Sequence, residues 1–441
     1  MIKKDYQNVL KEPTCEIYRF PSFEVFQSYD ENRICVYSLK NRNQDIQKKL
    51  KNKIYDISTY EVITGLDIAE KSNFEFLEEH SFALFTNATG LNRNLKSTLD
   101  ILIENGYFPK LLIEPEHGIY SAEDQKFSSI IRIEKTYSIP ILSLYSEIKK
   151  PPLALLKDID TILIDLKNLP VRCYTYVSTL TYLLEVADQL HKEVIILDRP
   201  HPYGIWKPMG GFLQEEYRSF VGEAPVPFLY NLTPAEYSIF LTKYKLKNLK
   251  LKIIKMEYFD PKDTQWVLGN IWINPSPNIP DLETALIYPG LVFFEGTPLS
   301  VGRGTTKPFI YSGAPWLNHK EVIQELQKLS LKGIKVGLVE FRPTYSVYKG
   351  ELCKGIQIHP ISKELNPLEI GYEYMRIIRK LHPDKFYFKQ SQEQFFIDKL
   401  WGSDLYRKSI EHDLNYKEFE NLWKSESLVF EDLIKDILIY R

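Results

Sequence analysis

The stretch LLIEPEHG, residues 111–118, joins an apolar run to two glutamates, a histidine and a glycine. The run Leu-Leu-Ile is typical of a short buried β-strand. Glu114 ends this run, and Glu116 and His117 follow shortly after it. A glutamate is a poor helix cap, and a Glu-His pair is costly to bury unless both groups find partners. We therefore interpret the stretch as a strand whose carboxyl end carries a functional site. A desolvated Glu116 would suit general acid catalysis.

The segments around this stretch alternate between short apolar runs and helical patterns. Apolar side chains recur three and four residues apart between residues 94 and 104, as on one face of a helix, and a longer helical pattern covers residues 174–190. The apolar runs predict five strands, at residues 81–86, 110–113, 139–144, 161–166 and 194–197. Short strands that alternate with helices indicate an α/β fold with a largely parallel, doubly wound sheet.

The second half of the chain has a different pattern. Proline and glycine are dense between residues 274 and 315, and the strand-like runs IKVGLVEF and KGIQIH follow. Thr233, with proline directly after it, is typical of a helix start and places a domain boundary near this point. We therefore predict an N-terminal extension, a parallel-sheet domain and a smaller mixed α+β domain, at residues 1–60, 61–232 and 233–441. The extension has weak strand signals such as RICVYSL, and a lysine-rich stretch at 48–53 that we interpret as a solvated helix face.

The composition excludes several classes of function. The 441 residues include 56 Lys+Arg and 58 Asp+Glu, and the resulting net charge of -2 gives no reason to expect nucleic acid or an anionic membrane as a partner. The four cysteines form no CxxC pair, which argues against a zinc ribbon or a redox motif. We find neither a secretory signal nor an apolar run of the ~18 residues that a membrane span requires. These observations predict a cytoplasmic protein without a membrane span, and they leave its oligomeric state open.

Polar groups follow four of the predicted strands. In open α/β sheets, ligands bind at the carboxyl ends of the parallel strands, and these ends lie along one edge. The polar groups that this edge would collect are Thr86, Asn87, Glu114, Glu116, His117, Asp165, Asp198, Arg199 and His201. For Asp165 and Asp198, a structural role as a helix cap or in a salt bridge is as good an explanation as a role in a site, so both explanations stay open.

The run Gly-Arg-Gly-Thr-Thr at residues 302–306 is the second polar cluster. Its backbone N–H groups, its hydroxyls and the Arg303 guanidinium suit an anion, although a structural turn explains the run equally well. The spacing of a P-loop is missing, and no GxGxxG follows the first strand. The sequence therefore gives no support for ATP chemistry or for a dinucleotide cofactor.

These motifs together resemble those of the NamZ-type exo-β-N-acetylmuramidases over roughly residues 62–405. The segments that carry the resemblance follow one another in the family's order: GLDIAEKSNFEFLEEHSFALFTNATGLNRNLKSTLD, PEHG, RCYTYVSTL, LDRPHP, SFVGEAPVPFLYNLTPAE, PSPNIPDLETALIYPGLVFFEGTPLSVGRGTTKPF, GAPW, FRPTYSVYKGELCKGIQIH and LWGSD. The resemblance implies a bacterial enzyme that releases N-acetylmuramic acid from the non-reducing end of peptidoglycan fragments, in cell-wall turnover or recycling. It also implies a Rossmann-like domain, an auxiliary domain, and an active site in the cleft between them.

The resemblance assigns roles residue by residue, and it implies no cofactor and no metal. Glycoside hydrolysis needs one carboxylic acid to protonate the leaving oxygen and a second group to stabilise or attack the reacting carbon. The implied catalytic residues are Glu116 as the acid, His117 and Asp165. The substrate's acetamido oxygen is the alternative to Asp165. The implied substrate-binding residues are Asn87, Arg172, Tyr174, Tyr176, Asp198, Arg199, Asn278, Arg303 and Thr305. Three of these are arginines, and each is a candidate for binding the lactyl carboxylate of the sugar.

The sequence departs from the family pattern at several positions near this site. Val301 stands where the family has glutamate, and Lys167 and Asn168 replace a glutamine and an aspartate. Further departures are Ala88, Glu114 and His201. They predict a slower muramidase or an altered glycan preference. They also keep open a non-catalytic saccharide-binding protein. A separate alternative is a metal-dependent hydrolase, although no HExxH-type spacing supports it; its ligands would be His117, Asp165, Asp198 and His201.

Overall fold

The computed structural model describes four strands between residues 15 and 56, and then residues 62–123, 126–262, 271–391 and 393–440. The four strands pair antiparallel in chain order, as β1 to β4: Cys15–Arg19, Phe23–Ser28, Arg33–Ser38 and Tyr55–Asp56. The third confirms the strand signal in RICVYSL, whereas the lysine-rich stretch at 48–53 lies outside the described residues. These strands belong to one compact unit, Met1–Val62 with Val267–Ile271, and the remainder of the chain forms a second unit.

Seven strands of the second unit form the predicted parallel sheet. They are β5 to β11: Phe82–Thr86, Leu111–Glu114, Ile131–Ile133, Pro140–Ser143, Thr161–Asp165, Glu193–Leu197 and Lys250–Ile254. Their order in space is β11-β10-β9-β5-β6-β8-β7, and every neighbouring pair is parallel except β7 with β8. All five predicted strands are confirmed. The antiparallel β7 is an edge strand, and its exposed side chains gave no apolar run to detect.

Alternate residues of each central strand pack into two separate hydrophobic cores. In β5, Ala83 and Phe85 belong to one core, and Phe82 and Leu84 to the other. The same alternation occurs in β6, β9 and β10. A strand that is buried on both faces has to be apolar throughout, because each large apolar side chain contributes ~1.5–3 kcal/mol only when it is removed from water. The continuous apolar runs therefore reflect a sheet covered on both sides, which confirms the doubly wound, Rossmann-like fold.

Eleven helices occur in the described residues of the second unit. In chain order, α1 to α11 are Gly65–Lys71, Thr98–Glu104, Leu153–Leu156, Thr175–Gln189, Pro234–Tyr244, Leu282–Leu291, His319–Lys328, Pro367–Leu381, Phe396–Trp401, Leu405–Glu411 and Tyr416–Ile434. Short 3₁₀ helices cover Glu75–Leu77, Glu215–Tyr217 and Val292–Gly296. None of the helices in the part of the chain that the structure describes is long and apolar enough to cross a lipid bilayer.

The C-terminal part contains a small antiparallel sheet, as the mixed α+β pattern predicts. Its strands β12, β13 and β14 are Tyr311–Ala314, Ile334–Phe341 and Cys353–Pro360, in the order β12-β14-β13. A two-stranded ribbon follows, with β15 at Gln390–Ser391 and β16 at Gln394–Phe395. The parallel sheet, however, extends past the boundary predicted at residue 233, because β11 pairs with β10 and α5 packs on both strands. A division at that point would separate a strand from its sheet.

Two buried carboxyl groups attach the C-terminal residues to the parallel sheet. Asp198 accepts hydrogen bonds from the Thr233 hydroxyl at 2.8 Å and from the Tyr440 hydroxyl at 2.7 Å. Glu236 closes the capping box of α5, accepting from the Thr233 N–H at 3.0 Å, and it also accepts from the Ile439 N–H at 3.0 Å. Burial raises the pKa of Asp198 to about 6 and that of Glu236 to about 7, and the charge of Asp198 adds to the second shift.

These two groups predict that the fold becomes less stable as the pH rises. Their pKa values in the folded protein lie above the ~4 that is usual for an unfolded chain, so the folded state holds the protons more tightly. Their stabilising contribution is complete below about pH 4 and is lost as the pH passes through the two raised values. Chemical denaturation between pH 5 and 8 measures this loss. We expect the slope to be shallower in Glu236→Gln, by on the order of 1 kcal/mol per pH unit around neutrality.

Glu236→Gln loses one acceptor oxygen and should be less stable at every pH, so the slope and not the absolute stability is the test. Glu147→Gln, at an exposed position, should reproduce the slope of the unchanged protein. Equal slopes for Glu236→Gln and the unchanged protein would show that Glu236 is already ionised throughout this range.

Candidate active site

Glu114, the last residue of β6, stabilises the loop that follows this strand. This carboxylate is fully buried, and it accepts hydrogen bonds from Arg132 Nη2 at 2.5 Å and from the Ile119 N–H at 3.1 Å. The Arg132 guanidinium in turn lies 4.0 Å from the centre of the Phe127 ring. Glu114 is therefore a paired structural group that helps to fix the course of the PEHG loop.

The PEHG loop contains a left-handed turn. His117 and Gly118 have φ angles of 71° and 77°. A Cβ atom on residue 118 would lie 2.8 Å from Phe127 and 3.3 Å from Glu114, so only glycine fits here without strain. His117 Nδ1 lies 2.5 Å from the Glu123 carbonyl oxygen, which can only accept, so Nδ1 carries the proton. In the neutral ring, Nε2 is then left as a hydrogen-bond acceptor.

Glu116 is half-buried at the carboxyl edge of the sheet, where the sequence predicts it. Thr175, the first residue of α4, donates its hydroxyl to Glu116 Oε2 at 2.5 Å. Within the part of the chain that the structure describes, Oε1 receives no hydrogen bond. One oxygen of Glu116 is thus fixed and the other is left for a ligand, which is the arrangement that a proton donor needs.

A row of aromatic rings leads from Glu116 towards the GRGTT loop. Tyr176 contacts Tyr174 with ring centres 4.7 Å apart, Tyr174 contacts Tyr288 at 5.9 Å, and Tyr288 contacts Phe309 at 4.9 Å. Burial raises the pKa of the three tyrosines, and the charge of Glu116 adds to the shift of Tyr174 and Tyr176. All three phenols are therefore neutral at physiological pH.

The loop that contains Asn278 is bonded to Tyr176 at one end of this row, and also to Asn87 and Tyr345. The Tyr176 hydroxyl and Asn87 Nδ2 both donate to the Pro275 carbonyl, the latter at 3.5 Å. Asn278 Oδ1 accepts from the Tyr345 hydroxyl at 2.9 Å. The structure thus connects Asn87, Tyr176 and Asn278 through one loop. Their amides and hydroxyl already form hydrogen bonds with other groups of the protein.

Arg303 lies at the far end of the row and is paired with Glu295. Its Nε donates to Glu295 Oε1 at 2.7 Å, and its guanidinium carbon lies 5.4 Å from the centre of the Phe309 ring. The Thr305 hydroxyl donates to the Gly302 carbonyl at 2.6 Å and so stabilises the turn itself. Val301 is only 5% exposed and belongs to the main hydrophobic core. The carboxylate expected at residue 301 is thus supplied to Arg303 by Glu295.

Asp165 and Arg199 form a fully enclosed ion pair. Arg199 donates through Nε to Asp165 Oδ1 and through Nη2 to Oδ2 at 2.8 Å, and Thr98 adds a hydroxyl bond to Oδ2. The remaining Nη1 donates to the Leu91 carbonyl at 3.0 Å. Asp165 is 0% exposed and Arg199 6%. Both oxygens of Asp165 are therefore bonded to Arg199, which corresponds to the structural ion pair considered for Asp165.

Two more predicted ligand-binding residues lie in the interior. Arg172 is 0% exposed and donates to the carbonyls of Gly211 at 2.9 Å, Val226 at 2.6 Å and Trp401. Asp198 accepts from the Ala235 N–H in the first turn of α5 at 3.0 Å, in addition to the Thr233 and Tyr440 hydroxyls. Arg172 therefore connects three backbone segments, and Asp198 acts as a helix cap, which is the alternative that the sequence left open for it.

The departures at residues 167, 168 and 201 lie together beneath this edge of the sheet. Burial and, to a smaller extent, the neighbouring Arg199 lower the pKa of Lys167 to about 7. Burial and the charge of Lys167 lower the pKa of His201 to about 3, and its Nδ1 accepts from the Tyr203 N–H at 3.2 Å. Asn168 donates to the Tyr230 hydroxyl at 2.6 Å. Among the described residues, no group of three or more His, Cys, Asp or Glu side chains converges as metal ligands would.

Sequence reasoning missed three residues of this region: Thr175, Glu295 and Lys149. Glu295 directly follows an apolar run, as Glu114 does, so a search of LVFFEG for carboxylates after apolar runs would have found it. Thr175 begins a helix that was predicted to start at residue 174. Lys149 carried no signal, because its surroundings come from Tyr145 and from Phe220.

Comparisons with known proteins agree with this architecture. The family models for the N-terminal and C-terminal parts of exo-beta-N-acetylmuramidase NamZ match residues 82–283 and 286–440. A Bacillus subtilis (strain 168) protein, named peptidoglycan beta-N-acetylmuramidase NamZ, is 32% identical over 385 residues, which cover 86% of this chain and 91% of that protein.

Crystal structures of two DUF1343 family proteins from Bacteroides fragilis NCTC 9343 are also similar. The first has a TM-score of 0.79 and 29% identity, and the match covers 87% of this chain and 100% of that one. The second has a TM-score of 0.66 and 27% identity, with 86% and 99% covered. The matched family models cover both the parallel-sheet part and the C-terminal part, which confirms the resemblance seen in the sequence: the chain belongs to the NamZ family of exo-β-N-acetylmuramidases.

Proposed function

We propose that this protein is a glycoside hydrolase that releases N-acetylmuramic acid from the non-reducing end of peptidoglycan fragments, with Glu116 as its general acid. The observation that carries the proposal is the state of Glu116: half-buried at the sheet edge, with one oxygen held by Thr175 at 2.5 Å. Membership of the NamZ family supports the class of substrate. A role in cell-wall recycling and a cytoplasmic location stay predictions.

Glu116 would protonate the glycosidic oxygen through Oε1. The proton transfer leaves a carboxylate, and the Thr175 hydroxyl already donates to Oε2, where it stabilises the charge that develops. The tyrosines of the aromatic row are buried and neutral, and they give the carboxyl group of Glu116 surroundings of low polarity. His117 Nε2, as an acceptor, is placed to bind a hydroxyl group of the sugar or of the attacking water.

The second role, at the anomeric carbon, is best filled by the substrate. Asp165 has both oxygens bonded to Arg199, and Glu295 is paired with Arg303. An attack by either carboxylate would first have to break an ion pair in a poorly solvated environment, which is strongly unfavourable. The acetamido oxygen of an N-acetyl sugar needs no such step. We therefore favour it over Asp165 as the group that stabilises the reacting carbon.

The direct test of substrate class is hydrolysis of a chromogenic β-N-acetylmuramide beside the matching β-N-acetylglucosaminide. Release from the muramide alone would support the proposal. Binding of both sugars without turnover would instead favour the non-catalytic saccharide-binding alternative, and loss of hydrolysis on chelation would favour the metal-dependent one.

Glu116→Gln should reduce kcat on the N-acetylmuramide by roughly 10²–10⁴-fold, because general acid catalysis contributes about that much. The amide keeps the size of the side chain and can still accept from Thr175, so the melting temperature should change little. Glu147→Gln, which removes an exposed carboxylate from a neighbouring loop, is the matched control and should keep full activity. A near-normal rate for Glu116→Gln would exclude Glu116 as the acid.

Val301→Glu should destabilise the protein without raising its rate. The side chain of residue 301 is packed in the main core, and a carboxylate without partners costs several kcal/mol to bury there. Arg303 already has its acidic partner in Glu295. Thermal denaturation and kcat on the N-acetylmuramide measure the two effects. Faster hydrolysis by Val301→Glu would show that the family's glutamate at this position has a role that Glu295 does not fill.

A further inference from the structure

Lys149 holds a positive charge in an unusual environment beside the proposed acid. Its Nζ lies 3.8 Å from the centre of the Tyr145 ring and 4.4 Å from that of Phe220, and these two rings are stacked at 6.0 Å. The ammonium is buried, and it has no hydrogen-bond acceptor among the described residues. An ammonium has three N–H donors, and the ring faces replace its hydration only in part.

The charges of the described residues around Lys149 favour the binding of one more anion. Burial is the main cause that lowers the pKa of Lys149, to about 8, the exposed Lys126 lowers it further, and Glu116 acts in the opposite direction. Among the described residues, Lys126 and Glu116 are the charged groups that shift this pKa, so two lysines act against one carboxylate. When Glu116 is protonated for its role as an acid, the region has an excess of positive charge, which favours a bound anion.

The arginines of the region are not available for that anion. Arg132 is paired with Glu114, Arg199 with Asp165 and Arg303 with Glu295. Arg172 is enclosed by backbone carbonyls. Three arginines were predicted as candidates for the lactyl carboxylate, and among them Arg303 has the most exposed side chain, at 29%. A carboxylate could bind Arg303 only if its ion pair with Glu295 were broken or shared.

We infer that Lys149 binds the lactyl carboxylate of the sugar whose glycosidic oxygen Glu116 protonates, an inference that rests on the proposed function. The flexible stem of a lysine allows the ammonium to leave the ring faces of Tyr145 and Phe220 for a carboxylate. The aromatic surface that it leaves is then free to contact the sugar. N-acetylglucosamine lacks the lactyl group, so Lys149 would be the residue that distinguishes the two sugars.

The test uses three chromogenic β-glycosides: the N-acetylmuramide, the same sugar with its lactyl carboxylate converted to an amide, and the N-acetylglucosaminide. For Lys149→Met we expect kcat/KM on the N-acetylmuramide to fall by roughly 10- to 100-fold, the usual effect of losing one charge-assisted hydrogen bond. The loss should appear mainly as a higher KM, because the carboxylate is bound equally before and during the reaction. The amide and the N-acetylglucosaminide should be unaffected.

Lys150→Met is the matched control, because the neighbouring ammonium is exposed and pairs with Glu185 at 2.7 Å. It should leave all three glycosides unchanged. An equal loss by Lys149→Met on all three would overturn the inference, since Lys149 would then act on Glu116 and not on the lactyl group. Equal kcat/KM of the unchanged protein on the muramide and its amide would overturn it without any variant.

A failure of the proposed function is recognised separately. If the unchanged protein hydrolyses none of the glycosides, the proposed hydrolase activity is wrong, and calorimetric titration with free N-acetylmuramic acid and N-acetylglucosamine still tests the lysine. Tighter binding of N-acetylmuramic acid, with the preference lost in Lys149→Met, would support the inference. A preference that survives in Lys149→Met, or the absence of any preference in the unchanged protein, would overturn it.

Discussion

The ion pair between Asp165 and Arg199 is the constraint on which the geometry of the sheet edge depends. It joins the end of β9 to the residues after β10, and through Thr98 and Leu91 it reaches the loop and helix that follow β5. The Thr86 hydroxyl adds a bond to the Asp165 carbonyl at 2.7 Å. Two charges taken out of water have to be fully paired, and leaving either one alone would cost about 3–5 kcal/mol. The three loops around the pair therefore have one stable arrangement.

The sequence predicts the fold better than it predicts the roles of the polar residues, because the fold leaves a local signal in the apolar strands. The continuous apolar runs of β5, β6, β9 and β10 carry the information that the sheet is buried on both faces, because no other environment favours such runs. β7 and β11 lack that signal, since their side chains are partly or largely exposed. The edge on which Glu116 lies follows from the parallel order alone, and its position there was predictable from one stretch of sequence.

The roles of the polar residues depend on pairing across the chain, which no single segment reveals. Asp165 and Arg199 were both reasonable ligand groups until the structure showed that each satisfies the other. Arg172 belongs to a sequence motif full of potential ligands, yet its guanidinium contacts carbonyls from residues 211, 226 and 401. Such partners are distant in sequence, and their identity is set by the packing of whole elements. Glu116 differs because its signal was local. A glutamate is a poor helix cap, so its position shortly after an apolar run already indicated another role.

Buried polar atoms without a hydrogen bond help to distinguish structural side chains from side chains that bind a ligand. The comparison has to include every polar atom of the side chain. Arg172 Nε has no acceptor, but the other nitrogens of this guanidinium bond three carbonyls, so the group is largely satisfied. Asn168 Oδ1 lacks a donor, while its amide nitrogen bonds Tyr230. Lys149 Nζ is different, because it has no hydrogen-bond acceptor among the described residues and lies against two ring faces. A fold that was optimised for stability alone would place an acceptor beside this ammonium or exclude the charge. Its retention next to Glu116 is better explained by a carboxylate that arrives with the substrate than by any contact within the chain.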